Sequence, residues 1–108
     1  MKLSEILLNA TEKQVKNVYS KSIDGETCYC ALGLLLKKAP NDFSDSDIMY
    51  KKDFLENKML NLGFDIKLDD YLMHDGDKIY LGYFLTTLND NYDLSFKEIG
   101  SILQSLDL

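Results

Sequence analysis

The amino-acid sequence predicts a mainly α-helical single domain, a small bundle of four to five helices that spans residues 1–108. Apolar residues recur at helical spacing in several segments, which is typical of helices that bury one face. Serine and glycine residues stand where such helices would begin and end. The length suits one domain, and no internal repeat or linker divides the chain.

The first part of the chain is predicted to form a helix followed by a hairpin or a loop. Ser4 can cap the helix, which runs to about Lys13. Its apolar side chains, at helical spacing, are Leu3, Ile6, Leu7 and Ala10. Residues 17–29 hold the turn dipeptide Asp24-Gly25 between β-branched and aromatic residues. This pattern indicates either a short β-hairpin or an irregular loop.

Two further helices are predicted in the middle of the chain. Residues 30–39 form the most apolar helix, so we expect it at the centre of the fold. Ser44 or Ser46 opens the next helix, which runs to Leu62. Residues 64–69 alternate between apolar and charged side chains, and this short alternation indicates either an extended segment or a loop.

The last part of the chain is predicted to add two helices. Asp77 can cap a helix over residues 78–88, and the polar residues 89–91 break it. Ser95 and Glu98 fit the S-x-x-E capping box, in which each side chain bonds a free backbone N–H at the start of a helix. The apolar stripe of this helix is Ile99, Ile102, Leu103 and Leu106.

The composition indicates an acidic protein. The net charge is −6 at pH 7, and residues 41–77 alone hold ten acidic residues and four lysines. This charge argues against direct contact with nucleic-acid backbones and favours a basic protein partner, although a solvated surface is the simpler interpretation. No apolar run approaches the ~20 residues of a membrane span, and no signal-peptide pattern is present. We therefore expect a cytoplasmic protein without membrane contact.

The acidic middle third contains the residues that we predict to bind a partner. Tyrosines with an exposed edge are good interface anchors, and two of them lie here among carboxylates. The candidate binding residues are Asp45, Asp47, Tyr50, Asp53, Asp69, Asp70, Tyr71, Asp75 and Asp77. A second aromatic group is expected mainly in the core: Tyr80, Tyr83, Phe84 and Tyr92.

Cys28, Cys30 and His74 are the residues that suggest catalysis or metal binding. Cys30 is expected to be buried as a small apolar residue, and Cys28 to be the more accessible of the two. A closed zinc site needs four ligands and the chain offers three Cys or His residues, so we predict no metal and no cofactor. The alternative is a small thiol-dependent or hydrolytic enzyme that uses Cys28 and His74.

Two stretches of the sequence together resemble a known protein family. The first is Gly25–Leu34, with the run Cys-Tyr-Cys-Ala-Leu-Gly-Leu, and the second comprises Leu88–Asp90 followed by Leu94–Ile99. In these motifs the chain is similar to a family of small bacterial and phage proteins whose function is not established. The resemblance implies a mostly helical fold and frequent occurrence in phage or accessory genomes, and it implies no chemistry. Leu34 stands where the family often has Ala, so the packing differs there.

The sequence therefore predicts a non-enzymatic acidic protein-binding module, a phage-related or accessory factor that acts through its negatively charged surface. In its most specific form, this function is the inhibition of a host nucleic-acid-binding protein, such as a defence effector, by occupation of its basic groove. Two alternatives stay open. One is the thiol-dependent or hydrolytic enzyme, and the other is a structural or self-associating domain.

Overall fold

Helices and two small β-sheets build the domain. The computed structural model describes residues 2–39, 43, 48–73 and 76–108. Within these ranges the chain forms five α-helices, one 3₁₀ helix and five short strands. With about 48 % helix and 16 % strand the fold is mixed α/β, so the predicted mainly α-helical, all-α bundle is wrong. The strands have only two to four residues, which is too short for a period of two to stand out in the sequence.

The N-terminal sheet has three strands in the order β1-β3-β2. β1 (Lys13–Gln14) pairs in parallel with β3 (Glu26–Tyr29), and β2 (Ser20–Ile23) pairs antiparallel with β3. Asp24 and Gly25 connect β2 to β3 with φ values of 52° and 79°, the left-handed conformation that a two-residue hairpin turn requires. Of the two alternatives that the sequence leaves open here, the hairpin is therefore the one observed.

The first helix, α1 (Leu3–Leu8), is shorter than the helix predicted to about Lys13. The chain leaves the helix because residues 13–14 pair with β3. The prediction that Ser4 caps this helix is also wrong. Lys2 occupies the N-cap position, and Ser4 is buried within the first turn.

α2 (Ala31–Lys38) lies in the core, as its apolar sequence predicts. Residues 31–35 are all buried. Cys30 is the N-cap residue, and its Sγ accepts a hydrogen bond from the N–H of Gly33 at 3.2 Å. Two lysines in the last turn complement the negative end of the helix dipole.

The second sheet pairs two strands that each continue directly into a helix. β4 (Met49–Lys51) and β5 (Lys78–Tyr80) are antiparallel. β4 leads into α3 (Lys52–Asn61), and β5 leads into α4 (Leu81–Asp90). One short sheet therefore fixes the starting points of both helices relative to each other.

Strand pairing makes both of these helices begin later than predicted. The helix predicted from Ser44 or Ser46 begins at Lys52, and both serines lie outside the described residues. α4 begins three residues later than predicted and continues through Asn89 and Asp90, which were expected to break it. Tertiary hydrogen bonds to these two side chains compensate for their weak helix propensity.

The segment after α3 is tied back to that helix. Residues 64–69 form a loop, one of the two predicted alternatives, in which Ile66 and Leu68 are each 3 % exposed. The N–H of Leu68 donates to the carboxylate of Glu56 at 2.7 Å. A 3₁₀ helix follows at Asp70–Leu72. The loop therefore returns toward α3 through two apolar anchors and one hydrogen bond.

The last helix, α5 (Phe96–Ser105), begins with the predicted capping box. Ser95 Oγ accepts a hydrogen bond from the N–H of Glu98 at 3.1 Å, and the N–H of Ser95 donates to Glu98 Oε1 at 3.0 Å. α5 packs against α1, where Gly100 lets Leu8 approach closely. This part of the fold therefore follows its local sequence signals.

The buried side-chain amide of Asn89 joins distant segments of the chain. Its Oδ1 accepts hydrogen bonds from the N–H of Ala31 at 3.0 Å and from Gln14 Nε2 at 2.7 Å. Its Nδ2 donates to the carbonyl of Val15 at 2.9 Å and to Asp90 Oδ1 at 2.8 Å. Asn89 is 0 % exposed, and these contacts use both donors and both lone pairs of its amide.

Gln14 extends this arrangement to α5. Its Nε2 also donates to the carbonyl of Leu94 at 2.7 Å, and its Oε1 accepts from the N–H of Phe96 at 2.9 Å. The N–H groups of Phe96 and Ala31 are among the donors that helices α5 and α2 leave free at their first turns. We call the side chains of Gln14 and Asn89 the amide network.

Replacing Asn89 tests this network. Asn89→Ala should lower the free energy of unfolding by about 3 kcal/mol or more, because several buried groups lose their hydrogen-bond partner at once. Chemical denaturation followed by circular dichroism measures the loss. Asn91→Ala, on an exposed neighbour, is the control and should change stability by less than about 0.5 kcal/mol. Equal losses for the two variants would contradict the role of the network.

Candidate functional site

A cleft opens between residues 17–19 and one face of α4. Its volume is about 600 Å³, within the usual range of ligand pockets. The described residues that line it are Asn17, Val18, Tyr19, Cys30, Leu32, Tyr80, Gly82, Tyr83, Thr86 and Asp90. Three of these residues are tyrosines, and Asp90 alone among them carries a charge at neutral pH. We refer to this feature as the tyrosine-lined cleft.

Backbone contacts hold the first wall of the cleft. The N–H of Asn17 donates to Asp90 Oδ1 at 3.0 Å, and Asn17 adopts a left-handed φ of 66°. The N–H of Cys30 donates to the carbonyl of Tyr19 at 3.1 Å. Gly33 lets the backbone of Tyr19 lie against α2, because a Cβ there would overlap the Tyr19 carbonyl oxygen. The position of this wall is therefore set by the main chain.

α4 and the residue before it supply the second wall. Tyr80, Tyr83 and Thr86 follow one another at intervals of three, which places them along one side of the helix. The rings of Tyr80 and Tyr83 have centroids 6.2 Å apart and planes inclined by 45°. Tyr83 is 53 % exposed, and Tyr19 on the first wall is 60 % exposed. The cleft therefore presents aromatic surface to solvent at its rim.

The two cysteines are both buried, and only Cys30 lines the cleft. Burial raises the pKa of the Cys30 thiol above its ordinary value, so the thiol stays protonated at neutral pH. The prediction that Cys30 is buried is confirmed at 4 % exposure. The prediction that Cys28 is the more accessible is wrong: Cys28 is 2 % exposed, because it lies at the buried end of β3, next to the buried Tyr29.

Six of the nine predicted binding residues lie within the described structure, near the start of α3 and the segments that contact it. These are Tyr50, Asp53, Asp69, Asp70, Tyr71 and Asp77. Lys52 joins two of the segments: its Nζ contacts Asp70 Oδ1 at 2.6 Å, and its N–H donates to the carbonyl of Asp77 at 2.8 Å. Tyr71 is 79 % exposed, the largest value among the exposed large hydrophobic residues.

The charges in this region are mixed. Lys51 and Lys78 face each other across β4 and β5. The ammonium group of Lys52 lowers the pKa of Asp70 below its ordinary value. The described residues of 41–77 contain six acidic residues and four lysines, an excess of two negative charges. The remaining predicted binding residues and the histidine lie outside the described residues: Asp45, Asp47, Asp75 and His74.

The tyrosine-lined cleft is not among the sequence predictions. None of the six described candidates lines it. Tyr83 is expected mainly in the core, but it is half exposed. The spacing of Tyr80, Tyr83 and Thr86 could have indicated one wall, because three residues at intervals of three share a helix face. The other wall depends on contacts between residues that are far apart in the chain.

The described residues hold neither a metal-binding cluster nor a membrane-spanning helix. No group of three or more His, Cys, Asp or Glu side chains there is placed to hold a metal ion. No helix in that part of the chain is long and apolar enough to cross a lipid bilayer.

Comparisons of the chain with models of protein families, with curated proteins and with solved structures find no match. The resemblance to a family of bacterial and phage proteins therefore stays a prediction. Its two motifs do meet in the structure, since the Asn89 side chain of the second motif accepts a hydrogen bond from Ala31 of the first. This contact gives both motifs a structural role.

Adding a methyl group at Gly33 tests how the first wall is built. Gly33→Ala should destabilise the protein by about 1–3 kcal/mol, because the methyl group overlaps the backbone of Tyr19. In an unobstructed helix the same change stabilises by up to about 1 kcal/mol. Denaturant unfolding measures the difference. At Gly100 a Cβ would lie 2.9 and 3.1 Å from side-chain carbons of Leu8 and 3.1 Å from its backbone nitrogen, whereas at Gly33 it would lie 2.0 Å from the Tyr19 carbonyl oxygen, so Gly100→Ala should cost less. A gain in stability for Gly33→Ala would contradict the close approach.

Thiol reactivity tests the enzyme alternative. Cys28 and Cys30 should react slowly with iodoacetamide at neutral pH, because both are buried and the Cys30 thiol is held protonated. Mass spectrometry should show a rate at least on the order of tenfold higher in urea-unfolded protein, the control with accessible thiols. A thiol that reacts faster in the folded protein would indicate activation and favour a thiol-dependent enzyme.

Proposed function

We propose that the protein is a non-enzymatic binding module that holds a basic partner protein against the tyrosine-lined cleft. The observation that carries this proposal is the composition of the cleft: three tyrosines, apolar residues and one carboxylate, in an open surface depression. Tyrosine is enriched at the energetically important centres of protein interfaces, because it combines a large apolar ring with a hydrogen-bonding hydroxyl.

The surroundings of the cleft favour a protein as the partner. Val18, Tyr19 and Tyr83 are 44 %, 60 % and 53 % exposed and lie on its two walls. A stable protein interface buries ~800 Å² on each partner, more than a cleft of this size provides alone. The cleft would therefore form the centre of a contact whose rim extends over the neighbouring exposed side chains.

The charge of the chain favours a basic partner. The net charge of −6 produces an attractive potential for cationic surfaces, which raises the rate of encounter. A host nucleic-acid-binding protein, such as a defence effector, has a basic groove of the required sign. We propose that the protein acts in the cytoplasm as a phage-related or accessory factor that inhibits such a partner by occupying that groove.

The thiol-dependent enzyme has less support than a binding module. Cys28 is 2 % exposed and Cys30 is protonated at neutral pH, so neither is placed as an activated nucleophile. The sequence-predicted contact surface near α3 remains a second location for the binding function. Tyr71 is its most exposed aromatic residue, at 79 %.

Capture of the partner distinguishes the two locations. Immobilised protein with Tyr83→Ala should retain less than about one tenth of the host protein that the wild type captures, since truncation of an interface hot spot costs ~2 kcal/mol or more. Tyr71→Ala is the matched control, because it removes an equally large exposed ring outside the cleft. Quantitative mass spectrometry of the eluates measures the captured protein, which should also be lost between ~50 and ~200 mM salt.

The reverse pattern would place the binding site on the surface near α3. If Tyr71→Ala abolishes capture and Tyr83→Ala does not, the partner binds the surface near α3 and the cleft proposal is wrong. Capture that neither variant reduces would contradict both locations. Thermal denaturation of each variant verifies folding, and both changes should be mild because the two side chains are more than half exposed.

A further inference from the structure

We infer that the tyrosine-lined cleft takes a basic side chain, lysine or arginine, of the partner protein. The inference rests on the proposed function for the existence of a partner, and it adds the chemistry of the group that enters the cleft. Three features carry it: the inclined rings of Tyr80 and Tyr83, the carboxylate of Asp90, and the apolar inner lining.

The two rings on the α4 side suit a cation. Their centroids are 6.2 Å apart, their planes are inclined by 45°, and both residues line the cleft. A cation within ~6 Å of a ring centroid is attracted by the negative potential of the ring face. Tyr83 is 53 % exposed, so its ring is open to a cation that enters the cleft, and Tyr19 lines the same cleft from the other wall.

Asp90 gives the cleft its charge. Its Oδ1 accepts hydrogen bonds from the N–H of Asn17 at 3.0 Å and from Asn89 Nδ2 at 2.8 Å, which fix the carboxylate in place. Both donors are neutral, and the ion pairs formed by the described residues do not include Asp90. No lysine is among the described residues that line the cleft. Among the described residues that line the cleft, Asp90 is therefore the one charged group that an entering cation meets.

The inner lining suits the alkyl part of a basic side chain. Leu32 and Cys30 are 2 % and 4 % exposed and offer an apolar surface. Lysine and arginine cover such surfaces with their methylene groups while the charged end stays near polar groups. The volume of about 600 Å³ accommodates a whole side chain together with part of its backbone.

The openness of the cleft favours a side chain over a free amine. A pocket for a small molecule usually buries 70–90 % or more of its ligand. Here the rim residues Tyr19 and Tyr83 are themselves more than half exposed, so the cleft does not close over its occupant. Such an open site is filled most completely by a group that projects from a second protein surface, which covers the rim at the same time.

Titration with short peptides tests this chemistry without the partner. The probes are a blocked pentapeptide with a central lysine, its arginine analogue, and the same lysine peptide with an acetylated side chain. The lysine or arginine peptide should shift the ¹H–¹⁵N resonances of Tyr83, Thr86 and Asn17, with a dissociation constant on the order of 1 mM. The acetylated peptide, which has the same alkyl stem and no charge, should produce no comparable shift at equal concentration.

Two variants assign the binding to the ring and to the carboxylate. Tyr83→Leu keeps an apolar side chain and removes the ring, so it should weaken binding of the basic peptide about two- to fivefold. Asp90→Asn keeps an oxygen that can accept from Asn17 and removes the charge, so it should also weaken binding about two- to fivefold. Tyr71→Leu, outside the cleft, should leave the affinity unchanged.

Each other result overturns the inference. Resonance shifts from the acetylated peptide as large as those from the lysine peptide would show that the cleft binds the alkyl stem and does not select for positive charge. Binding of choline without binding of either basic peptide would show a site for a free organic cation. If no peptide binds but capture of the partner still depends on Tyr83, the inference fails and the proposed function stands. If a basic peptide binds at the cleft while capture depends on Tyr71, the partner does not place its basic side chain in the cleft, and the inference is overturned.

Discussion

The side-chain amide of Asn89 connects segments that no continuous element of secondary structure joins. It accepts from the first N–H of α2, donates to the carbonyl of Val15 beside β1, and meets Gln14, which in turn accepts from the first N–H of α5. Two helix N-termini are thus satisfied by side chains from distant parts of the chain. Because a buried polar group is costly unless all its hydrogen bonds are made, this network allows only one relative placement of these segments.

The same end of α4 also holds the first wall of the candidate site. Asn89 Nδ2 donates to Asp90 Oδ1, and that oxygen also accepts from the N–H of Asn17 at the start of the first wall. Tyr19 is held two residues later by its carbonyl bond to Cys30. The cleft is therefore a consequence of how the core is joined, and its shape exists before any partner binds. Such pre-organisation reduces the conformational entropy that binding would otherwise cost.

Sequence patterns predicted the elements whose signals are local. The Asp24-Gly25 turn and the Ser95–Glu98 capping box each depend on residues within four positions, and both are observed. β4 and β5 could not be predicted in this way, because each has three residues and its partner lies far along the chain. The prediction that Asn89 breaks the helix is wrong for the same reason. Its weak helix propensity is a local property, whereas its four hydrogen bonds arise only in the folded protein.

Charge and contact chemistry are separate contributions to the proposed binding function. The net charge of −6 is a property of the whole chain, and its field attracts a basic partner over distances up to a Debye length, ~8–10 Å at physiological salt. Composition is sufficient to predict the sign of this field. In the proposed complex, the position of the partner is set at shorter range by the rings of Tyr80 and Tyr83 and by the fixed carboxylate of Asp90. Tyr80, Tyr83 and Asp90 all belong to α4 or the residue before it, but the cleft that they line exists only because residues 17–19 fold against this helix. Its location therefore follows from the tertiary structure and not from the distribution of charge along the sequence.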